Sequence, residues 1–253
     1  MALRQEPYVL VVGGSDSSGG AGIGRDIETI SSIGVRACLA VTAVTVQTHE
    51  AVREIHHSSP SLVAAQMCAA LQANEVAAIK IGMLATAEIV VAVAAVLRDY
   101  PQVPAILDPV LASSSGQQLL EASAIHVMTR DLMPVCRLVT PNLIELAFLA
   151  GTDPAADEND ALRQGRELLA TGLQALLIKG GHAIGARSAD ILLRFDQEPA
   201  RFDAPRLAGS VRGTGCMLAS AIAAHLAKAS PLEDSVRKGK EFVFEKLQEN
   251  AVT

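Results

Sequence analysis

Short apolar runs alternate along this chain with alanine-rich segments of helical periodicity, and this alternation is the feature that most constrains the fold. The runs are apolar on both faces, as strands are when helices cover both sides of a parallel sheet. Strands separated by helices also imply right-handed crossovers that return the chain to the same sheet. The predicted strands are Val9–Val12, Leu39–Val46, Val76–Ile81, Val103–Leu107, Leu138–Thr140 and Ala175–Ile178.

The segments between these runs predict helices, and the pattern changes towards the C-terminus. Ile191–Phe195 and Arg201–Phe202 predict a short antiparallel pair at a sheet edge. The segments Val35–His57 and Ala189–Phe202 are expected to hold strands outside the main sheet. Residues 1–253 therefore predict a single α/β domain, a three-layer α/β/α sandwich with a mostly parallel central sheet. The predicted helices are Ala21–Ile33, Ser61–Leu71, Ala87–Leu97, Asn142–Leu149, Ala161–Ala170, Thr214–Ala227 and Leu232–Gln248.

Composition excludes several classes of function. Half of the 253 residues are hydrophobic and only 19% are charged, which rules out an intrinsically disordered chain. The net charge is −6, aromatic residues make up 3%, and the basic residues form no cluster, so we expect no nucleic-acid partner. No apolar segment reaches the roughly 18 to 20 residues of a membrane span, so we expect no membrane partner either.

The cysteines predict a reducing compartment. Cys38, Cys68, Cys136 and Cys216 are scattered, without a CxxC pair or a Cys/His cluster. A chain of this length builds its core without disulfides, so we expect free thiols, a cytoplasmic location and no zinc site. The N-terminal residues also lack the apolar core of a signal peptide.

The first candidate for chemistry is the segment Gly13–Asp26, which follows the first strand, carries six glycines and opens a helix. Ligands of such folds bind at the C-terminal ends of the strands. Glycine lets the backbone approach a ligand closely, and a helix N-terminus supplies free N–H groups. Gly20, Gly22 and Gly24 alone are a weak dinucleotide signal. The alternative is a flexible turn that binds nothing.

The second candidate is Gly213–Cys216, which opens an alanine-rich helix. Its consecutive backbone N–H groups, those of Gly213, Thr214, Gly215 and Cys216, form an anion hole suited to a phosphoryl group. A cysteine in the first turn of a helix is expected to have a lowered pKa. The alternative is a small-residue helix start beside a buried cysteine.

The third candidate consists of charged residues that each follow a predicted strand. Asp108 and Glu145 offer the oxygen ligands that Mg²⁺ prefers, and Lys179 offers a cation for a phosphate. Each residue also has an ordinary interpretation, since Asp-Pro forms turns and Asn142 with Glu145 makes a capping box. Their shared position at the strand ends favours a joint phosphate and metal site.

These motifs together resemble the hydroxymethylpyrimidine kinase / phosphomethylpyrimidine kinase family of thiamine biosynthesis, within the ribokinase-like superfamily. The resemblance runs over nearly the whole chain, in order and in spacing. The motifs are GSDSSGGAGIGRD (14–26), AVTVQT (43–48), KIGML (80–84), LDPV (107–110), TPNLIE (140–145), KGGH (179–182) and GTGC (213–216).

The resemblance implies a ribokinase-like kinase that uses Mg²⁺ and ATP to phosphorylate 4-amino-5-hydroxymethyl-2-methylpyrimidine and often then its monophosphate. By the same resemblance, Cys216 accepts the alcohol proton, Lys179 contacts the nucleotide phosphates, and Asp108 and Glu145 organise Mg²⁺. The residues that this resemblance assigns to the pyrimidine pocket are Gly14, Asp26, Gln47, Met83 and Val110.

The chain departs from the family pattern beside the anion hole. Arg212 stands where a histidine is common, and Met217 where Thr or Ser is common. These departures put the nucleotide contacts and the second phosphorylation in doubt. One interpretation is that Arg212 adds a guanidinium that faces a phosphate.

Alternative functions stay open at this point. A pyridoxal/pyridoxine kinase is the nearest, because its substrates are also small heteroaromatics with a hydroxymethyl group. A non-catalytic ligand-binding relative that keeps the fold is an alternative of another class, because fold alone does not establish activity. The resemblance also suggests a homodimer, with the strands of residues 35–57 as interface material.

Overall fold

The computed structural model of the protein describes residues 6–113, 116–180, 187–207 and 212–251. Its strands are β1 (Tyr8–Ser15), β2 (Arg36–Gln47), β3 (Val52–His57), β4 (Val76–Ile81), β5 (Ala105–Leu107), β6 (Leu138–Val139), β7 (Ala175–Ile178), β8 (Arg187–Arg194) and β9 (Ala200–Pro205). Its helices are α1 (Gly22–Ser32), α2 (Pro60–Ala73), α3 (Ala87–Asp99), α4 (Ala122–Val127), α5 (Leu143–Ala150), α6 (Glu158–Leu169), α7 (Thr214–Ala227) and α8 (Leu232–Ala251).

The nine strands of the described residues form one sheet in the order β3-β2-β1-β4-β5-β6-β7-β8-β9. Strands β2, β1, β4, β5, β6 and β7 run parallel to one another, while β3, β8 and β9 are antiparallel to their neighbours. The strand order reverses at β1, because β2 lies on one side of it and β4 on the other. Such a reversal opens a crevice at the C-terminal ends of the strands.

Two apolar cores lie on opposite faces of the sheet. In β1, Leu10 and Val12 pack into the core beneath α2, α3, α5 and α6. Val9 and Val11 pack into the second core, beneath α1, α7 and α8. This is the alternation of side chains that a strand covered on both faces must have. The three-layer α/β/α sandwich predicted from the sequence is confirmed.

Helix starts follow from local side chains. The Ser59 hydroxyl accepts a hydrogen bond from the backbone N–H of Leu62 at the start of α2, and Pro60 occupies the first helical position. The Thr86 hydroxyl caps α3 in the same way, and the Asp157 carboxylate caps α6. Such caps satisfy N–H groups that the first helical turn leaves without partners.

One expectation about the sheet is wrong. The segments 35–57 and 189–202 were expected to hold strands outside the main sheet, but β2, β3, β8 and β9 all belong to it. Within the part of the chain that the structure describes, β3 pairs only with β2, and its side chains are mostly exposed. Its sequence therefore lacks the apolar pattern of a central strand. The antiparallel pair expected near Ile191–Phe202 is confirmed as β8 and β9.

The connection from β5 to β6 also held elements that the sequence pattern did not predict. They are α4, a π-helical turn at Met128–Leu132 and a 3-10 turn at Met133–Val135. Among the described residues, no helix combines the length and the apolarity that crossing a bilayer requires.

Candidate active site

The C-terminal ends of neighbouring parallel strands bring the predicted residues to one edge of the sheet. Because the strands are adjacent and parallel, residues distant in sequence meet there. From β2 to β7 these residues are Gln47 at the end of β2, Gly14 in β1, Met83 after β4, Asp108 after β5, Glu145 in α5 after β6, and Lys179 after β7.

An apolar cluster forms around Met83 at this edge of the sheet. Met83 and Ala43 are buried against each other, and Val110 packs on them. A Cβ atom added to Gly14 would lie 2.9 Å from the Met83 sulfur, so only glycine leaves this space free. Gly14, Met83 and Val110, which were predicted to line one pocket, are therefore brought together.

Gln47 lies at the end of β2, beside the loop that follows β1. The Ser17 hydroxyl donates to the backbone carbonyl of Gln47 and accepts from its backbone N–H, both at 2.8 Å. The side-chain Oε1 of Gln47 accepts from the Thr45 hydroxyl at 3.3 Å. Within the described part of the chain its Nε2 has no hydrogen-bond partner, so the amide retains donors for a ligand.

The two glycine motifs touch each other. Gly213 has φ +75°, and a Cβ there would lie 2.5 Å from the carbonyl oxygen of Gly20. Gly22 has φ +62°, and a Cβ there would lie 2.5 Å from the carbonyl oxygen of Gly14. Both positions require glycine, so the loop after β1 is a tightly fitted segment against the start of α7. That contact argues against the flexible-turn interpretation.

A buried cluster of charges faces the start of α7. The Lys179 ammonium donates to Asp108 Oδ1 at 2.7 Å and lies 3.6 Å from Glu145 Oε2. Burial alone would lower the pKa of Lys179, but the two carboxylates outweigh it and the pKa is raised. Burial raises the pKa of Glu145. A Cβ at Gly215 would lie 3.2 Å from the Lys179 nitrogen, so this cation is next to the anion hole.

Glu145 takes part in the capping box that the sequence offered as its ordinary interpretation, and it also lies beside Lys179. The Asn142 side chain accepts from the backbone N–H groups of Ile144 and Glu145 at 2.9 Å. Glu145 in turn accepts from the backbone N–H of Asn142 at 2.8 Å. The capping box is therefore present, and it holds the carboxylate beside Lys179.

The carboxylates fit a magnesium ion only if nucleotide phosphates complete its shell. Among the described residues there is no cluster of three or more acidic, His or Cys side chains able to hold a metal. Asp108 Oδ1 accepts a hydrogen bond from the Lys179 ammonium at 2.7 Å and a longer one from the Thr140 hydroxyl at 3.4 Å. Its Oδ2 instead lies towards Gly215, 3.5 Å from the position of an added Cβ. Mg²⁺ commonly uses one or two carboxylates together with phosphates and water, and this oxygen faces the place where phosphates would bind.

Asp26, which the resemblance assigns to the pyrimidine pocket, lies buried in α1. Its carboxylate oxygens lie 2.8 and 2.9 Å from the ammonium of Lys80, and the Ser220 hydroxyl donates to it at 2.8 Å. Asp26 therefore holds the Lys80 ammonium in place inside the fold.

Lys80 is the site residue that pattern reasoning missed. It is only 1% exposed and sits in the apolar strand β4. Burial alone would lower its pKa, but the Asp26 carboxylate outweighs it and the pKa is raised. The available signal was a lysine inside an apolar run, which requires a buried counter-charge.

The expected lowering of the Cys216 pKa is wrong. Burial raises the pKa of the Cys216 thiol to about 11, and the nearby Lys80 ammonium offsets this only in part. The helix N-terminus favours a thiolate, but the partial burial of Cys216 disfavours the charged form more. Cys216 is therefore a neutral thiol at neutral pH. Cys216 and the other three cysteines are free, as expected.

Arg212 contacts the glycine loop through one nitrogen of its guanidinium. Its Nη1 donates to the Ser18 hydroxyl at 3.2 Å and to the Thr48 carbonyl at 3.1 Å. Two residues of the predicted motif 179–182, Gly181 and His182, lie outside the described residues. Gly180 is described, and a Cβ there would collide with the Ala189 carbonyl oxygen.

Comparison with known proteins extends these observations over the whole chain. A family model described as phosphomethylpyrimidine kinase matches residues 16–253. A hydroxymethylpyrimidine/phosphomethylpyrimidine kinase of Rhizobium meliloti is 39% identical over 236 residues, which cover 92% of this chain and 88% of the relative.

Solved structures give the same picture. A phosphomethylpyrimidine kinase from Clostridium difficile superposes with a TM-score of 0.83 at 30% identity, covering 96% of this chain and 100% of that one. The pyridoxal kinase from Staphylococcus aureus in complex with AMP-PCP superposes with a TM-score of 0.85 at 27% identity, covering 94% and 86%. Similarity in sequence and in fold therefore extends over almost the entire chain.

Proposed function

Because the chain belongs to the phosphomethylpyrimidine kinase family, we propose that it transfers phosphoryl groups from ATP to 4-amino-5-hydroxymethyl-2-methylpyrimidine and then to the resulting monophosphate, as one kinase domain. The observation that carries this proposal is the contact between the glycine loop and the start of α7. This contact supports a site in which a small ring binds beside Gly14 and the transferred group binds at the start of α7.

Each side of the site then has a role. Met83 and Val110 offer apolar contacts to the ring, and the Gln47 amide offers a donor and an acceptor to an aminopyrimidine edge. The backbone N–H groups from Gly213 to Cys216 hold the phosphoryl group. Lys179 neutralises nucleotide phosphate charge. The complex of the Staphylococcus aureus relative with AMP-PCP, an ATP analogue, supports the nucleotide part of this assignment.

The reaction is a substitution at the terminal phosphorus of ATP. The alcohol oxygen forms a new bond to that phosphorus, the bond to the β-phosphate oxygen breaks, and ADP leaves with the electron pair. The transition state is loose and needs positioning and charge neutralisation more than a strong base. Because the Cys216 thiol is neutral, it cannot take the alcohol proton, which leaves instead on an oxygen of the transferred phosphoryl group. We assign to Cys216 the positioning of the reacting groups at the anion hole, and we expect a graded contribution from it.

Asp108 and Glu145 would hold Mg²⁺, in part through water. When bound, the ion supplies charge neutralisation on the phosphate oxygens of the nucleotide. Without the ion, residues of this chain already keep the two carboxylates close together. The Lys179 ammonium lies between them, and the capping box orients Glu145.

ADP release tests the proposal. The purified protein is given Mg-ATP with hydroxymethylpyrimidine, its monophosphate, pyridoxal or pyridoxine, and Cys216→Ala is compared with Cys68→Ala as a control. Turnover of both pyrimidines with a loss in Cys216→Ala alone supports the proposal. Preference for pyridoxal would favour the vitamin B6 kinase, whose fold is shared. Ligand-induced thermal stabilisation without ADP would indicate a non-catalytic binder.

We also propose a homodimer through the outer face of β2. Leu39, Val44 and Val46 are exposed apolar side chains on this strand. A bulge at Thr42 and Ala43, both buried, keeps the exposed residues on one face. Light scattering should give a mass of two chains, and Val44→Glu should shift it to one chain. A wild-type mass of one chain would contradict the dimer. A cytoplasmic location stays a prediction.

A further inference from the structure

Arg212 joins three segments at the mouth of the site. It immediately precedes the N-cap of α7, and its Nη1 donates to Ser18 in the loop after β1 and to the Thr48 carbonyl after β2. The same nitrogen lies 3.4 Å from His49 Nδ1. A Cβ at Gly20 would lie 3.2 Å from it, so the glycine loop leaves the guanidinium room to lie against its backbone.

One edge of this guanidinium is left without a strong partner. Its Nε is buried and has no hydrogen-bond partner among the described residues. Its Nη2 has a single acceptor, Asp16 Oδ2, at the long distance of 3.5 Å. The Nε and Nη2 N–H groups point the same way and form the fork that binds oxyanions in pairs. Arg130 uses this same edge to hold Asp131 at 2.8 and 2.5 Å.

The other buried cations near the anion hole are already committed to carboxylates. Lys80 lies 2.8 Å from Asp26, and Lys179 lies 2.7 Å from Asp108. A substrate that carries its own phosphate brings close to two negative charges at neutral pH. Arg25, which lies beside Gly213, also has a carboxylate partner at short distance, with its Nη1 2.8 Å from Glu28. The carboxylate paired with Arg212, that of Asp16, lies 3.5 Å away.

We infer that Arg212 determines the preference for the phosphorylated substrate: its Nε–Nη2 edge receives the phosphate of the pyrimidine monophosphate. The inference rests on the proposed function. In that second reaction a phosphate oxygen of the substrate bonds to the terminal phosphorus of ATP. The bond to the β-phosphate oxygen breaks, and ADP leaves with the electron pair. Arg212 holds the attacking phosphate at the anion hole, a contact that the neutral alcohol substrate cannot make.

Two substitutions separate charge from loop support. Arg212→Gln keeps a polar side chain that can reach the loops but removes the charge, while Arg212→Lys keeps the charge and loses the fork. Arg163→Gln is the matched control, because Arg163 is an exposed arginine of α6 with surface partners only. We measure kcat/KM for the alcohol and for the monophosphate, together with the Kd of the monophosphate without nucleotide.

For Arg212→Gln we expect kcat/KM for the monophosphate to fall by about 10- to 100-fold, the usual range for a hydrogen-bonded charge. The alcohol should change by less than about threefold, and Arg212→Lys should retain part of the monophosphate activity. Equal losses on both substrates, or no loss, would overturn the inference. A wild-type protein inactive on both pyrimidines would instead refute the proposed function, and the monophosphate Kd of wild type against Arg212→Gln would still decide the role of Arg212.

Discussion

Removal of one charge from the buried Lys80–Asp26 pair should destabilise this protein strongly. Both side chains are 1% exposed, and the Lys80 ammonium lies 2.8 and 2.9 Å from the two carboxylate oxygens. Asp26→Asn keeps the shape of the side chain but leaves the Lys80 ammonium without a counter-charge in the core. Asp26→Asn is therefore a test of charge rather than of packing.

The expected magnitude follows from the geometry. At 2.8 Å and an effective dielectric constant of about 20, the attraction within the pair is about 6 kcal/mol before the cost of desolvation. Breaking a buried pair by removing one partner costs roughly 3–5 kcal/mol. For a chain of this size each kcal/mol lowers Tm by about 2–4 °C. We therefore expect Asp26→Asn to lower Tm by about 6–20 °C.

Equilibrium urea unfolding, followed by circular dichroism, measures the effect. Ser220→Ala removes only the hydroxyl that donates to Asp26 at 2.8 Å, so it should cost about 1–3 kcal/mol. Glu167→Gln is the surface control, because its partner Arg163 is 55% exposed and Glu167 is 53% exposed. An exposed pair of this kind contributes about 0.5 kcal/mol or less.

A double variant makes the reasoning refutable even if Asp26→Asn is poorly soluble. Asp26→Leu with Lys80→Met removes both charges, and apolar replacement of a whole buried pair is often neutral or stabilising. The double variant should therefore be more stable than Asp26→Asn. If Asp26→Asn unfolds within about 1 kcal/mol of wild type, or if the double variant is the less stable of the two, the assignment of a desolvated ion pair is wrong.

Three further predictions concern the site itself. Gly213→Ala should lower the free energy of unfolding measured in urea by at least about 2 kcal/mol, because φ is +75° and the Cβ would lie 2.5 Å from the Gly20 carbonyl oxygen. The control is Gly24→Ala, whose Cβ would enter open space in α1, and we expect it to be neutral or stabilising. Alkylation of Cys216 by iodoacetamide, followed by mass spectrometry, should keep accelerating to about pH 10, because burial raises its pKa to about 11; a plateau below pH 8 would contradict the buried thiol. Lys179→Met should lower kcat by at least about tenfold through lost phosphate neutralisation, while Lys238→Met on the exposed side of α8 should match wild type in the same assay.

Much of the architecture could be predicted because buried parallel strands have a local signature. The limits of β4 and β7 are those that the apolar runs predict, and α7 has its predicted limits as well. β3 was expected outside the main sheet, because an edge strand needs only one partner and few buried side chains and so lacks the apolar pattern of a central strand. The π-helical turn at Met128–Leu132 could not be predicted, because its hydrogen-bond pattern follows from packing rather than from local preference.

The site could be predicted only as far as its chemistry is local. The strand-end rule placed Asp108 and Lys179 together correctly. The pairing of Lys80 with Asp26 spans 54 positions of sequence, and no periodicity indicates such a pair. For Cys216 a local rule gave the wrong direction. A helix start does lower the pKa of a cysteine, but burial raises it by more, and burial depends on the whole fold.

The buried charges also indicate how the anion hole can stay ready for a phosphoryl group. Lys179 is shared between Asp108 and Glu145 and lies next to Gly215. An arriving phosphate therefore offers this cation a third acceptor at the same place, and the exchange needs little movement. Lys80 lies deeper, and Asp26 holds it with both oxygens while Ser220 donates to the same carboxylate. We therefore expect its positive charge to stay in place when ligands exchange, because the pair is removed from solvent. On this hypothesis Lys179 binds phosphate by exchange, while Lys80 provides a constant field beside the Cys216 thiol.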